Sequence, residues 1–430
     1  MELLVIGGGG REHAIIRKIK ESPLCGTVYC APGNGGISAD AICCPEVKAT
    51  DIEGAVKLAK EKNVDFVIVA PDDPLAAGMV DALEEAGIPA FGPKKNAAVI
   101  EGSKAFAKDL MKKYGIPTAD YEVFTDAEKA IAYLKEKNSY PAVIKADGLA
   151  LGKGVIIAQN EDEAVQAVLD MLLDGRFGAS GSRIVIEQFL SGPEVSVLAL
   201  TDGKVMRPLS SAMDHKRAND FDEGLNTGGM GTIAPNPLFT KEVAEKAMQR
   251  IFLPTMEAMN KEGRTFRGCL FFGLMIVDGE PYVIEYNCRF GDPETQVVLP
   301  LLEGDLLEAM IATAKGELES VPLSAKPGSA ACVVMASGGY PVKYVSGKEI
   351  SGLDADGQLS GATVYHAGTR REGGKYFTAG GRVLGVTATG ENLRAAVERA
   401  YQAADRVQFA GMFMRRDIGA RALKVEGYDG

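Results

Sequence analysis

The run Glu285-Tyr286-Asn287-Cys288-Arg289-Phe290-Gly291-Asp292-Pro293-Glu294-Thr295 holds the densest chemistry in the chain. It begins in an apolar stretch that reads as a strand, where residues i and i+2 share a face. Glu285 and Asn287 therefore point together, with Arg289 next along. A carboxylate beside an amide oxygen suits Mg²⁺, which takes one or two protein oxygens and completes its shell with water and phosphate. Arg289 adds a planar fork for a carboxylate or phosphate. The bland alternative is a half-exposed strand whose polar face meets water. The strand end runs straight into an acid-rich glycine–proline loop, which favours a metal and anion site.

Asp214-His215-Lys216-Arg217 is a charged cluster within 209–237, a stretch without periodicity that includes Asn226-Thr227-Gly228-Gly229-Met230-Gly231. A structureless loop of that length in a compact protein is usually functional. Lone histidines are more often structural than catalytic, but His215 sits between an acid and two cations. Lys145 ends the apolar strand Ala142–Lys145, an odd place for a solvated lysine, and Lys104 follows Gly102-Ser103 in a helix. Either alone also reads as a surface lysine.

The loop Gly148-Leu149-Ala150-Leu151-Gly152-Lys153-Gly154 approaches a P-loop but ends Lys-Gly, leaving no hydroxyl for Mg²⁺. It fits a lid over phosphates, with backbone N–H groups and Lys153 as donors. The opening turn Gly7-Gly8-Gly9-Gly10-Arg11-Glu12-His13 lacks the third glycine of a dinucleotide fingerprint. The second strand ends in Ala31-Pro32-Gly33, where that fingerprint needs an acid. Both features argue against NAD. One phosphate at the helix N-terminus with Arg11 beside it, or a plain tight turn, fits the spacing.

The elements that must position these groups follow from pattern. At about 150 residues per domain, 430 residues suggest about three domains. Residues 1 to about 102 alternate apolar runs (Leu3–Ile6, Val28–Ala31, Asp65–Ala70) with amphipathic helices (Arg11–Lys20, Ile52–Lys62, Leu75–Ala86). That alternation builds a parallel sheet with helices on both faces. From 103 the rhythm changes to the helix Ser103–Lys113 and a capping box Thr125-x-x-Glu128 opening another helix. The strands Ala142–Lys145 and Val155–Ala158, the helix Asp162–Leu173, and the strands Ile184–Glu187 and Val195–Leu200 predict a lid-sized α+β layer. Thr240–Glu262 reads as a helix, and Leu270–Val277 and Pro281–Tyr286 flank Asp278-Gly279, a type I′ hairpin signal. Val321–Gly328 reads as a linker into strand-rich runs (Ala331–Met335, Thr363–Ala367, Arg382–Thr387) and a helix near Asn392–Ala403. The expected fold is α/β, divided as 1–102, 103–326 with a lid at about 118–190, and 327–430.

Composition narrows the function classes. A net charge of −11 makes a poor general nucleic-acid binder, since phosphate affinity comes from clustered cations. Glycine is in excess, with 51 residues in 430 against a usual share of about 7%. No apolar run approaches the roughly 20 residues of a spanning helix, so no membrane partner is expected. The 7 cysteines show no CxxC or zinc spacing and read as reduced thiols of a cytoplasmic protein.

In their order these segments resemble the ATP-grasp fold and, more narrowly, the phosphoribosylamine–glycine ligase family, along nearly the whole chain. The marks are Gly-Gly-Gly-Arg-Glu-His at 8–13, Ala-Pro-Gly-Asn at 31–34, Ile-Lys-Ala-Asp-Gly-Leu-Ala at 144–150 and Gly-Lys-Gly-Val at 152–155. Asp-His-Lys-Arg at 214–217, Asn-Thr-Gly-Gly-Met-Gly at 226–231 and Asn-Cys-Arg-Phe-Gly-Asp-Pro-Glu-Thr-Gln at 287–296 follow. Ala-Ser-Gly-Gly-Tyr-Pro at 336–341 and Asp-Ile-Gly-Ala-Arg-Ala-Leu at 417–423 complete the set.

The resemblance implies a pre-ATP-grasp domain, an ATP-grasp α+β module with a small lid, and a strand-rich mixed α/β C-terminal domain. It implies ATP-dependent joining of glycine to 5-phosphoribosylamine through glycyl phosphate in purine biosynthesis. ATP is then the co-substrate, with Mg²⁺, or Mn²⁺ in its place. Lys104 and Lys145 match lysines that reach the ATP phosphates, with Gly152 and Lys153 in the lid loop. Glu187 and Leu190 match the hinge at the adenine edge, and Glu194 the acid on the ribose. Glu285 and Asn287 match the metal ligands, while Arg289, Asp214 and Lys216 match the region of the glycine carboxylate and acyl phosphate. The phosphoribosyl group would lie against Gly9, Gly10, Gly33 and Asn34, with His215 and Asp292 completing the substrate contacts. The implied partners are small molecules, and the implied state a monomer or weak homo-oligomer. The sequence departs from the family where Leu225 replaces the usual proline and Thr232-Ile233-Ala234-Pro235 the usual Ala-Tyr-Ser-Pro. A related carboxylase activating bicarbonate is disfavoured by the 214–217 and 287–294 runs. A silent nucleotide-binding regulator should have lost Glu285, Asn287 or Lys145.

Overall fold

Strands as uniformly apolar as Leu3–Gly7 and Phe66–Val69 need cover on both faces. In the computed structural model, which describes residues 1–149, 154–173 and 181–425, they lie at the centre of a five-stranded parallel sheet. Its order is Ile42–Cys43, Val28–Pro32, Leu3–Gly7, Phe66–Val69, Ala90–Phe91. The order reverses about Leu3–Gly7, so the crevice of this sheet opens at Gly7–Gly10. The helix expected over Leu75–Ala86 is two helices, Asp72–Ala77 and Met79–Glu85. Gly78 breaks it with φ 99°, a left-handed turn that a continuous helix excludes.

The lid-sized layer forms with one exchange of strands. Its antiparallel sheet runs Tyr121–Phe124, Ile184–Gln188, Ala142–Ala146, Val155–Ala158. Ala127–Lys137 and Glu161–Leu172 cover it through Ala130, Leu134, Ala164 and Val168, packed on Ile144 and Ile186. Tyr121–Phe124 is half-exposed and carries no clear alternation, so the sequence hides it. The expected strand Val195–Leu200 lies instead in Glu194–Thr201, buried from Val195 onward within a second sheet. The cap at the start of Ala127–Lys137 is Asp126 rather than Thr125, its carboxylate accepting from the Lys129 N–H at 3.0 Å.

The second sheet is antiparallel, in the order Met206–Pro208, Glu194–Thr201, Gly268–Val277, Glu280–Asn287. Asp278 (φ 49°) and Gly279 (φ 78°) turn its last hairpin as the type I′ signal requires. Leu274 pairs with Val283 but Gly273 with Glu285, so Ile284 is an extra, bulged residue. Leu274 and Val283 face one apolar core, with Phe272 and Tyr286. The bulge turns Glu285 onto the face of Gly273, where a Cβ would lie 2.8 Å from Glu285 Cγ. Glycine at 273 is what leaves room for that carboxylate.

The stretch 209–237 is not structureless. Met213–Asp214 and Gly231–Ala234 join Ser329–Ala336, Arg382–Gly390 and Thr363–His366 in a five-stranded sheet, on which Leu393–Ala404 packs. Between them, Arg217–Asn219 and Glu223–Asn226 form a two-stranded ribbon that includes Leu225. Strands this short have no readable period; partners a hundred residues downstream define them. The segment read as a linker also pairs, Ser324–Ala325 against Leu302–Glu303.

All 3 histidines are buried, His13 at 0%, His215 at 1% and His366 at 0% exposure. Burial lowers each pKa: His215 to about 4, His366 to about 3, and His13 in spite of the Asp40 carboxylate 3.0 Å away. The folded state thus holds neutral imidazoles, while an unfolded histidine titrates near 6.5. Their stabilising effect is complete above that value and is lost as pH falls towards 4. Each contributes a slope of up to about 1.4 kcal/mol per pH unit in that window. Urea midpoints should fall steeply between pH 7 and pH 5; equal midpoints would mean that the histidines are protonated in the fold.

Candidate active site

The lid sheet and the second sheet are joined by the short crossing from Ile184–Gln188 to Glu194–Thr201, and the charged residues gather beside it. Lys145, on the lid strand Ala142–Ala146, reaches Glu187 Oε1 at 3.0 Å and donates to the Ile284 carbonyl at 2.9 Å. The bulged residue thus supplies the acceptor. Lys108 takes the other oxygen of Glu187 at 2.9 Å, with both side chains 3% exposed. Burial opposes the charge on Glu187, but Lys145 and Lys108 outweigh it and lower its pKa. The Glu187 side chain is therefore committed to lysines.

Lys104 opens the helix Lys104–Tyr114, capped by Ser103, and donates to the Gly148 carbonyl at 3.0 Å. Burial lowers its pKa, making it a cation short of solvent. Asp147, which sequence reasoning passed over, holds this corner together. It accepts from Ala105 N–H at 2.6 Å and Ser103 Oγ at 3.1 Å, and pairs with Arg183 at 2.5 Å. Gly152 and Lys153 lie outside the described residues.

Lys216 lies between Glu194 (3.0 Å) and Glu285 (3.4 Å). Loss of water works against its charge, but Glu194, Glu285 and Asp214 hold its pKa well above the usual lysine value. Lys216 first, then Lys145, Lys104 and Arg289, bring Glu285 down to about 2 against the opposing effect of burial. Glu285 thus faces four cations, three of which also hold a second acid: Lys216 with Glu194, Lys145 with Glu187 and Arg289 with Glu101. Arg289 Nε is buried with no hydrogen-bond partner among the described residues, a donor oriented for an anion. Asp214 has its pKa pushed well up by burial and then by Glu294, a buried acid bonded to Ser196 Oγ at 3.1 Å. Glu101 went unremarked in sequence, and Glu294 was given no role of its own, because their partners are remote.

Several residues expected at the substrate have partners of their own. His215 donates from Nδ1 to the Gly231 carbonyl (3.0 Å) and accepts at Nε2 from Gly419 N–H (3.1 Å). Both nitrogens are spent on backbone, which ties the loop to the Gly231 and Gly419 segments. Asn34 donates to the Gly8 and His366 carbonyls and accepts from Gly36 and Ile37 N–H, which likewise makes it a clasp. The Gly9 N–H is taken by Glu12 at 2.5 Å, and Gly10 is buried, a Cβ there falling 2.7 Å from Gln296 Nε2. Arg11 turns to Glu12 and to the Phe290 carbonyl, away from any phosphate beside the turn. Gly33 packs against the turn, its carbonyl 2.5 Å from where a Gly8 Cβ would stand. Asp292 accepts from Gln296 (2.8 Å) and pairs with Arg382 (3.2 Å), which also donates to the Asp292 carbonyl.

Lysines gathered where two antiparallel sheets meet, beside an acid–amide strand end, are consistent with an ATP-grasp protein, and the family model of an ATP-grasp domain matches here. Family models agree along the chain: the phosphoribosylglycinamide synthetase N domain matches 1–101, its ATP-grasp (A) domain 102–295 and its C domain 330–421. The chain belongs to the phosphoribosylglycinamide synthetase family. It is 47% identical over 428 residues to a phosphoribosylamine–glycine ligase of Vibrio cholerae, covering 99% of both chains. It is 49% identical over 428 residues to one of Allochromatium vinosum, covering 99% of this chain and 100% of that one. The crystal structure of the Thermotoga maritima phosphoribosylamine–glycine ligase superposes with TM-score 0.85 at 35% identity, covering 97% of this chain and 100% of that one. A Campylobacter jejuni biotin carboxylase in complex with a nucleotide shares the fold at TM-score 0.76 and 16% identity, covering 100% of this chain and 97% of that one.

Proposed function

We propose that this chain joins glycine to 5-phosphoribosylamine at the expense of ATP, giving glycinamide ribonucleotide, ADP and phosphate through glycyl phosphate. The observation that carries this reading is the surround of Glu285 by Lys216, Lys145, Lys104 and Arg289. An amine cannot displace oxide from an anionic carboxylate, so one carboxylate oxygen must first take the γ-phosphoryl group of ATP. The amine then forms the C–N bond, the C–O bond to phosphate breaks, and phosphate departs with that oxygen. We assign the proton that the amine sheds to Asp214. Lys104 and Lys145 offset phosphate charge, and Arg289 orients the glycine carboxylate through its free Nε.

Among the described residues no cluster of three or more acids, histidines or cysteines could hold a metal alone. The donor set that is present, the ionised Glu285 carboxylate and the Asn287 amide, fits Mg²⁺, which relies on phosphates and water for the remainder. Bound there, Mg²⁺ supplies charge to the phosphates; Mn²⁺ is the alternative metal. Free thiols at all 7 cysteines fit a reducing cytoplasm, and no helix among the described residues is long and apolar enough to cross a membrane.

Glycine carrying heavy oxygen at both carboxylate positions should transfer one labelled atom to each phosphate released, with none in ADP. Label appearing in AMP would indicate adenylylation, and unlabelled phosphate under full turnover would remove glycyl phosphate. Omitting glycine or phosphoribosylamine in turn should abolish product in the same assay.

A further inference from the structure

Glu101 closes the stretch matched by the N-domain family model, yet its carboxylate is spent on the end of the strand Glu280–Asn287. Oε1 accepts from Asn287 Nδ2 at 2.9 Å and lies 3.4 Å from the Arg289 guanidinium. Oε2 accepts from the Cys288 N–H at 2.7 Å. The side chain is 6% exposed. Three successive residues, two of them in the proposed site, thus converge on one buried carboxylate from a helix 186 residues away in sequence.

An ionised carboxylate only accepts hydrogen bonds. The amide group that faces Glu101 must therefore be the Asn287 NH₂, which turns the Asn287 oxygen to the opposite side. Arg289 is fixed on one side by the same acid, leaving its unpartnered Nε on the other. We propose that Glu101 is a positioning residue that sets the Asn287 oxygen towards the metal and the Arg289 fork towards the glycine carboxylate. Metal affinity and glycine recognition are then coupled through one acid. Glu101 also precedes Gly102, Ser103 and the phosphate-facing Lys104, so the same short segment serves both halves of the reaction.

This inference rests on reading Glu285 and Asn287 as metal ligands, and its test separates the two. Mn²⁺ binding in the presence of ADP is read from the EPR signal of free Mn²⁺, without turnover. Glu101→Gln keeps the shape but presents a donor to three donors, and should weaken Mn²⁺ binding and raise KM for glycine at least tenfold each. KM for ATP at saturating metal should change less than threefold. Glu101→Asp keeps the acceptor-only chemistry and should lie nearer the parent than Glu101→Gln. A packing role predicts the reverse order, because glutamine is the isostere. Parent-like Mn²⁺ and glycine affinities in a folded Glu101→Gln protein, or glutamine outperforming aspartate, would overturn the proposal. With Glu285→Gln as control, loss of Mn²⁺ there but not in Glu101→Gln removes only the role of Glu101. Retention in Glu285→Gln removes the metal reading, and this proposal with it.

Discussion

Glu285→Ala is expected to lower turnover by about 10²–10³-fold, the scale seen when one electrostatic group is removed from a polar active site. The fold should persist, since the side chain is 37% exposed and faces a glycine across the hairpin. Metal-free ATP should bind at least as tightly as before. With Glu285 gone the cluster loses one negative charge, while Lys216 keeps Glu194 at 3.0 Å, Lys145 keeps Glu187 at 3.0 Å and Arg289 keeps Glu101 at 3.4 Å. The polyphosphate then meets a more positive cleft. Steady-state rates across a Mg²⁺ titration, paired with calorimetric ATP titration in chelator, would read both effects. Turnover within a few-fold of the parent at saturating Mg²⁺ would remove Glu285 from the metal site.

Glu187→Gln should be the most destabilising single-atom change in the cleft. It leaves Lys108 and Lys145, both buried, without their shared counter-charge. Breaking a buried pair by removing one partner typically costs about 3–5 kcal/mol. Lys108 already sits at about 8, lowered by burial against the pull of Glu187, and would lose its proton more readily in the variant. The loss should appear as a lower urea midpoint near neutral pH and should shrink in acid. The pKa of Glu187 is lowered on folding, so its contribution is present above the unfolded carboxylate pKa and disappears as pH falls through the folded value. A parent-like midpoint would show that the two lysines need no shared carboxylate.

What could be read from sequence was what local chemistry determines. The Glu285–Thr295 run declares its strand face and its anion fork through spacing alone, and Lys145 stands out because a cation ends an apolar strand. Its explanation is not local: the carboxylate of Glu187 and a carbonyl freed by a bulge. The surroundings of His215 are not local either, since the two backbone groups that occupy its ring belong to Gly231 and Gly419. The short strands inside 209–237 exist only because Ser329–Ala336 offers them an edge, and no window of sequence contains both partners. Glu101 was silent at the end of an ordinary helix.

The extra residue at Ile284 sets a parity rule for this hairpin. Counting outward from the Asp278-Gly279 turn, every position up to Val283 obeys one alternation and every position from Glu285 obeys the opposite one. Adding or removing two residues between turn and bulge would shorten or lengthen the arm and leave both alternations intact. Removing one would put Glu285 opposite Leu274, on the apolar face that Phe272 shares, and turn an apolar side chain into the cleft. The placement of the acid is thus an odd-or-even property of chain length, held by one carbonyl that Lys145 grips from the neighbouring sheet.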